Sequence, residues 1–159
     1  MTETVTKHQR NLSALIHAST FSKFFIPFGN FILPLVLWTA NKKEYEFVDY
    51  NGKQVLNFQI SLLLYSFILG IVSIPFFINF FDVFDFEHFR LFNLNRHNTF
   101  DFHFDSDDFR FGHWILPIGF AGLAQGALFV VNIVYTILGT IRTNEGQIFK
   151  YPITIKFIK

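Results

Sequence analysis

Two blocks decide how this chain is read. They are Ile26-Pro-Phe-Gly-Asn-Phe-Ile-Leu-Pro-Leu-Val-Leu-Trp38 and Phe47-Val-Asp-Tyr-Asn-Gly-Lys-Gln-Val-Leu-Asn-Phe-Gln59. Between and around them lie Lys42, Lys43, Glu44, Glu46 and Asp49. A compact charged connector between two apolar segments places the connector in water and the segments in lipid.

Towards the N-terminus, the only formal charge from Leu12 to Asn41 is Lys23. One straight helix over that span would measure about 45 Å against a hydrocarbon core of about 30 Å. It would also hold Lys23 near the bilayer centre, at roughly 2.5–3.5 kcal/mol. Pro27 and Gly29 follow directly, where a helix breaks. The expectation is therefore a helical hairpin, 12–25 and 29–41, with Lys23 at its tip. Leu12, Leu15 and Ile16 share one face of the first helix; Ser13, His17 and Thr20 share another. At about 20 Å that helix is short for a span, so it is re-entrant or strongly tilted. A single kinked span is the rival reading. Met1 to Arg10 is polar and expected to be mobile. Lys7 and Arg10 precede an apolar run, but His17, Thr20 and Ser22 interrupt it and no small-residue cleavage site follows, so it does not read as a signal peptide.

Towards the C-terminus, Asn51 reads as an N-cap with Gln54 as the far half of a capping box. Val55 to Phe81 carries no charge, which makes 55–81 a span. Gln54, Asn57, Ser61 and Tyr65 fall on one face of it, and a polar stripe on such a helix is expected to meet neighbouring helices. Inter-helix hydrogen bonds of about 0.6 kcal/mol each are one use for it, and a substrate or ion path is the other. Residues 82–110 differ in kind, with Phe alternating with Asp and His in Phe100-Asp-Phe-His-Phe-Asp105. Alternation suggests a half-buried strand, while Val83, Phe86 and Phe89 also suit an interfacial helix. Either way it is an amphipathic insert on the membrane surface.

A second charge-free stretch, Phe111 to Ile141, places a span over 112–141. Gly119, Gly122 and Gly126 share a face, and small residues at that spacing let helices approach closely in lipid. That face is a candidate contact with other membrane proteins or with a second copy. His113 and Trp114 stand where an interfacial anchor belongs. Residues 142–159 form a basic tail in which Ile153, Ile155 and Phe157 alternate with Thr154 and Lys156. It reads as an extended segment at the interface.

Composition agrees. Hydrophobic residues make up 51% and charged residues 16% of 159, where soluble domains carry about 25% charge. A net charge of +1 gives no electrostatic footprint for nucleic acid. The absence of Cys excludes disulfides, thiolate metal sites and Cys nucleophiles. With a hairpin, Lys7, Arg10, Lys42, Lys43, Lys53, Arg142, Lys150, Lys156 and Lys159 share one side. Arg90, Arg96 and Arg110 face the other. That asymmetry favours both termini in the cytoplasm of a multi-pass cell-membrane protein.

The blocks Ile26–Asn30, Pro34–Trp38, Phe47–Ser61 and Ile141-Arg-Thr-Asn-Glu-Gly146 with Tyr151-Pro152 resemble a bacterial domain-of-unknown-function family of small membrane proteins. That family is Tic-twenty-like, grouped with a component of the chloroplast import translocon. The resemblance covers most of the chain and implies a helical bundle of about four membrane segments without a known activity. The Phe/Asp/His insert departs from the family pattern, which has a shorter connection there.

Three functions compete on these residues. A non-enzymatic bundle that scaffolds or assists other membrane proteins is the first. A small oligomeric channel or transporter is the second, resting on the Pro27/Gly29 break and on Gln54, Asn57 and Ser61. A metal sensor is the third, with Asp101, His103, Asp105 and Asp107 on one strand face, Asp108 adjacent, and His88, His97 and His113 available. Their spacing matches no zinc or calcium signature. His17 and His113 lack a paired nucleophile or carboxylate, and Ser61, Ser66 and Ser73 look like packing residues. No enzyme, cofactor or catalytic residue is expected. The reading is an all-α integral membrane bundle of three to four membrane segments, one domain over 1–159, with the amphipathic insert at 82–110.

Overall fold

Thr6 opens the first helix with a capping box. Its hydroxyl accepts from the Gln9 amide at 3.3 Å, and the Gln9 side chain accepts from the Thr6 amide at 3.1 Å. The helix, α1, runs Lys7–Ala18, so Lys7 to Arg10 are its first turn and not a mobile lead. It then tightens into a 3-10 stretch, Ser19–Phe24, rather than continuing as α-helix to residue 25. Phe28 takes a left-handed φ of 59° and turns the chain into α2, Gly29–Asn41. A four-residue connector leads to α3, Glu46–Val83, and α4 is Phe111–Asn144. The last residues form neither helix nor strand, with a turn at Pro152 and a left-handed φ of 52° at Ile153. The structure is a computed structural model that describes residues 5–83 and 111–159, with side chains for 5–77 and 116–159. Among the described residues the chain is helical and has no strand.

Two sequence expectations are corrected here. Asn51 is not an N-cap, because α3 begins at Glu46, and the Asn51 amide donates to the Phe47 carbonyl inside the helix at 2.8 Å. Glu46 and Asp49 in the first turn supply the negative charge that a helix N-terminus favours. The polar turn is therefore confined to Lys42–Tyr45. The second correction concerns the polar stripe on α3, which meets the backbone of the tail and not a neighbouring helix; its contacts are described below.

The chain divides into two compact units, Met1–Ser66 with Ala127–Lys159, and Phe67–Gly126. In the first, the corner between α2 and α3 is set by Trp38. Its indole donates to Asp49 at 2.8 Å, Lys42 sits over its ring at 4.4 Å, and Lys53 pairs with Asp49 at 2.6 Å. Gly52 makes that approach possible, since a Cβ there would run into the Trp38 side chain. Val48, Val55, Leu56, Phe58 and Leu62 bury against Ile16, Trp38 and Tyr151.

Around that small apolar core the polarity is reversed. Ser13, His17, Thr20, Asn51, Asn57, Gln59, Ser61, Thr136 and Thr143 are buried, while Leu15, Ile32, Val36, Leu63, Phe129, Val130 and Val134 are exposed. On α1 the face carrying Ser13 and His17 points inward, and Leu15 points out at 52% exposure.

The second unit contains the distal half of α3 and the proximal half of α4. Phe67, Ile71, Val72, Leu116, Phe120 and Leu123 are exposed there. Ser73 bonds back to the Leu69 carbonyl at 2.6 Å, just before Pro75 removes a helical donor. Gly119, Gly122 and Gly126 are open, with nothing among the described residues within 4 Å of an added Cβ. Glu46–Phe77 and Leu116–Asn144 are long and apolar enough to cross a membrane, and only 17% and 6% of their most apolar windows are buried. The core helix of a soluble protein would be mostly buried, so these helices do not fit that role.

Candidate functional site

His17 is the centre of a densely bonded region. It lies on the inward face of α1 with no exposure. The Tyr151 hydroxyl stands 2.7 Å from Nδ1, and Asn51 Oδ1 stands 3.2 Å from Nε2. Asn51 is held by its amide on Phe47, so its carbonyl oxygen is the atom presented to the ring. Thr143 donates to the same oxygen at 3.3 Å and lies 3.2 Å from Nε2. This set is satisfied by a neutral imidazole protonated on Nε2, with Tyr151 donating to Nδ1. α1 is not among the helices long enough to span, and its partners Asn51 and Thr143 belong to the charged ends of α3 and α4.

Burial pushes the His17 imidazole down to about 4, against the opposing pull of the Asn51 hydrogen bond. Burial also pushes the Tyr151 hydroxyl up, with a hydrogen bond from Thr136 acting against it. Both groups are neutral near pH 7. The Tyr151 ring stacks on Phe58 at 4.2 Å and on His17 at 5.5 Å, with Phe149 edge-on at 5.0 Å. Gly139 leaves the room for this pair, because a Cβ there would come 2.6 Å from His17 Nδ1 and 2.9 Å from the Tyr151 hydroxyl. The arrangement clamps the tail to α1, α3 and α4. Among the described residues no carboxylate bonds to the histidine to activate it as a base.

A polar seam continues from this cluster between the helices. Thr20 donates to the His17 carbonyl at 2.9 Å and reaches Thr136 at 3.5 Å. Thr136 donates to Asn132 Oδ1 at 3.3 Å. Asn132 and Gln59 exchange amide bonds at 3.2 and 3.3 Å, and Asn30 donates to Gln59 at 3.0 Å. The seam ties the 3-10 stretch, α2, α3 and α4 together by hydrogen bonds that lipid cannot replace.

The stripe predicted on α3 has a different partner from the one expected. Asn57 donates to the Ile158 carbonyl at 2.9 Å and accepts from the amides of Phe157 and Ile158 at 3.0 and 2.8 Å. Ser61 accepts from the Ile155 amide at 2.8 Å, and Tyr65 donates to the Ile153 carbonyl at 2.8 Å. The stripe thus holds the backbone of the tail and not a neighbouring helix. Gln59, on another face of the same helix, makes the inter-helix bonds.

The Lys23 ammonium lies 5.3 Å from the ring of Phe24 and 5.5 Å from that of Phe129, in cation–π range. The insert residues His88, His97, Asp101, His103, Asp105, Asp107 and Asp108 lie outside the described residues, as does the side chain of His113. Among the described residues no group of three or more His, Cys, Asp or Glu could hold a metal. The helical spacing puts His17 and Thr20 on one face, but it does not name Asn51, Thr143 and Tyr151 as partners of His17 or Thr136 as the partner of Thr20. Asn132, Thr136 and Thr143 stand out only as polar residues on a mostly apolar helix, and that signal does not name the contact.

Neither the curated proteins nor the solved structures contain a match to this chain. A protein-family comparison does match, over residues 8–158, to a family described as the magnetosome magnetite crystal formation protein family. This overturns the Tic-twenty-like assignment. The blocks at Ile26–Asn30, Phe47–Ser61 and Tyr151-Pro152 that suggested it build a hairpin, a helix entry and a tail clamp, which are framework and not marks of one family. With nearly the whole length matched, the chain belongs to the MamF/MmsF family of magnetosome magnetite crystal formation proteins.

Proposed function

We propose that this chain is a multi-pass protein of the magnetosome membrane that serves magnetite crystal formation as a non-enzymatic scaffold. The observation that carries the reading is the reversed polarity: buried Asn, Gln, Thr and His between the helices, and Leu, Ile, Val and Phe on the outside. That distribution suits lipid as the surrounding solvent. α3 and α4 supply two crossings, and α2 inserts beside them as a third membrane segment, with α1 lying at the charged end. Both termini lie on the side of the Lys42–Tyr45 connector, following the Lys and Arg asymmetry.

The scaffold is favoured over a channel because the side-chain amides and hydroxyls of the seam from His17 to Asn30 bond to one another, which leaves them spent on packing. The same geometry supports a non-enzymatic role, since His17 is enclosed and neutral. The experiment has two arms. Carbonate washing of magnetosome membranes leaves the protein in the pellet, and its release would end the membrane reading. Crystals in a magnetite-forming strain deleted for the chain change in size or shape under electron microscopy. They recover with both the wild type and His17→Gln. Failure of the wild type to restore them would remove the role in crystal formation. Failure of a folded, membrane-inserted His17→Gln alone would replace the scaffold by chemistry at His17.

A further inference from the structure

The tail poses a problem of placement. α3 is free of charge from Gln54 to Phe81. A span takes about 20 residues, so one centred on that stretch has Asn57 at its edge and Ser61 and Tyr65 one and two turns inside. The segment bonded to those side chains must lie at the same depth. Ile153, at Tyr65, is then about 12 Å deeper than Phe157, at Asn57.

Non-helical backbone survives at membrane depth only where its polar groups find partners in the protein. Here Tyr65, Ser61 and Asn57 take up five of the twelve backbone groups of residues 153–158, namely the carbonyls of Ile153 and Ile158 and the amides of Ile155, Phe157 and Ile158. The outward side chains fit the same environment. Ile153, Ile155 and Phe157 are 53%, 40% and 47% exposed. The two lysines, Lys156 and Lys159, lie nearer the Asn57 end, where a long stem can bring an ammonium group to the headgroups. Just before Ile153 the chain is anchored by buried Tyr151 on His17.

We propose that residues 153–158 are a membrane-embedded strap, seated on the polar stripe of α3, whose exposed Ile153, Ile155 and Phe157 form a contact surface for lipid acyl chains. The proposal rests on reading α3 as a membrane span. The stripe is a receptor for non-helical backbone, and the strap turns that face of the helix from polar to apolar. Without it, Asn57 and Tyr65 would face hydrocarbon without these partners, and Ser61 would keep only its bond to the Asn57 carbonyl of its own helix.

The chain has no cysteine, so nitroxide labels can be placed singly on the full-length protein in phospholipid vesicles. The sites are Leu63→Cys, Ile153→Cys, Ile155→Cys and Lys159→Cys, and collision with oxygen is compared with collision with a water-soluble nickel chelate. The expected result is lipid exposure at Leu63, Ile153 and Ile155, greatest depth in the strap at Ile153, and several-fold higher nickel collision at Lys159. Water exposure at Ile153 and Ile155 with lipid exposure at Leu63 overturns the strap and leaves the membrane reading intact. Water exposure at Leu63 as well removes the membrane reading and the strap together. In a second set, Asn57→Leu with Ser61→Ala should raise nickel collision at Ile155 while Leu63 and helix content stay unchanged. An unaltered depth at Ile155 would overturn the receptor role of the stripe.

Discussion

At the scale of single residues, His17 couples stability to pH. Its value falls from 6.5 to about 4 on burial, so the folded state refuses a proton that the unfolded chain accepts. Above pH 6.5 both states are neutral and the full stability is present. As pH drops from 6.5 towards 4 the unfolded state binds more protons, and stability is lost by up to about 3 kcal/mol before levelling off. Thermal unfolding in detergent across this range should show the slope, and His17→Gln should flatten it. Tyr151→Phe keeps the ring between Phe58 and His17 but removes the donor to Nδ1. An unsatisfied buried acceptor costs about 1–3 kcal/mol, which a lowered unfolding midpoint would register. Gly139→Ala is expected to do more harm than Tyr151→Phe, because its methyl group meets both partners at once.

At the scale of elements, α2 and α3 meet where Trp38 lies against Gly52. A Cβ at position 52 enters the indole, so Gly52→Ala should force the corner apart. The expected readout is loss of the Trp38–Asp49 bond, seen as greater solvent exposure of Trp38 fluorescence in a Trp114→Phe background. The tail gives a second element-scale test. Asn57 alone satisfies three backbone groups of Phe157 and Ile158. Asn57→Leu should therefore speed amide hydrogen exchange at Phe157 and Ile158 well beyond the change in α1. Equal protection in the variant and the wild type would show that other contacts hold the tail.

At the scale of the whole molecule, the proposed orientation puts His8, Lys43 and Lys150 on one side of the membrane. Single cysteines at these positions should label together with an impermeant maleimide, and a cysteine at His103 should label from the opposite side. Labelling of His8 apart from Lys43 would replace the hairpin by one kinked crossing. Labelling of His103 together with Lys43 would bring the insert to the same side and end the arrangement of paired crossings. The seam is the other molecular-scale feature, because it joins the 3-10 stretch, α2, α3 and α4. Thr136→Val breaks its link to Asn132 and to Thr20. Only the Thr20 contact crosses between helices, the Asn132 bond lying within α4, so with interhelical bonds in membranes near 0.6 kcal/mol a loss of about that size is expected in detergent unfolding.

Much of the helical framework was legible because it depends on local chemistry. Charge-free stretches at 55–81 and 111–141 cost too much to expose to water, and Pro27 with Gly29 interrupts a helix wherever it folds. The charged residues after Asn41 require water and so place a turn. The start of α1 was missed because Thr6 and Gln9 form a capping box from residues that also suit a mobile lead. Asn51 was taken for a cap because an amide that bonds its own helix looks the same in sequence as one that starts it. The sequence by itself determined that this chain is helical, apolar on its surface and basic at its ends. Only the tertiary structure decided that Tyr151 closes on His17, that Gln59 meets Asn132, and that the stripe on α3 receives the tail. Helical periodicity states which residues share a face, but the partner of a face depends on contacts between residues as far apart as 17 and 151, which no local pattern encodes.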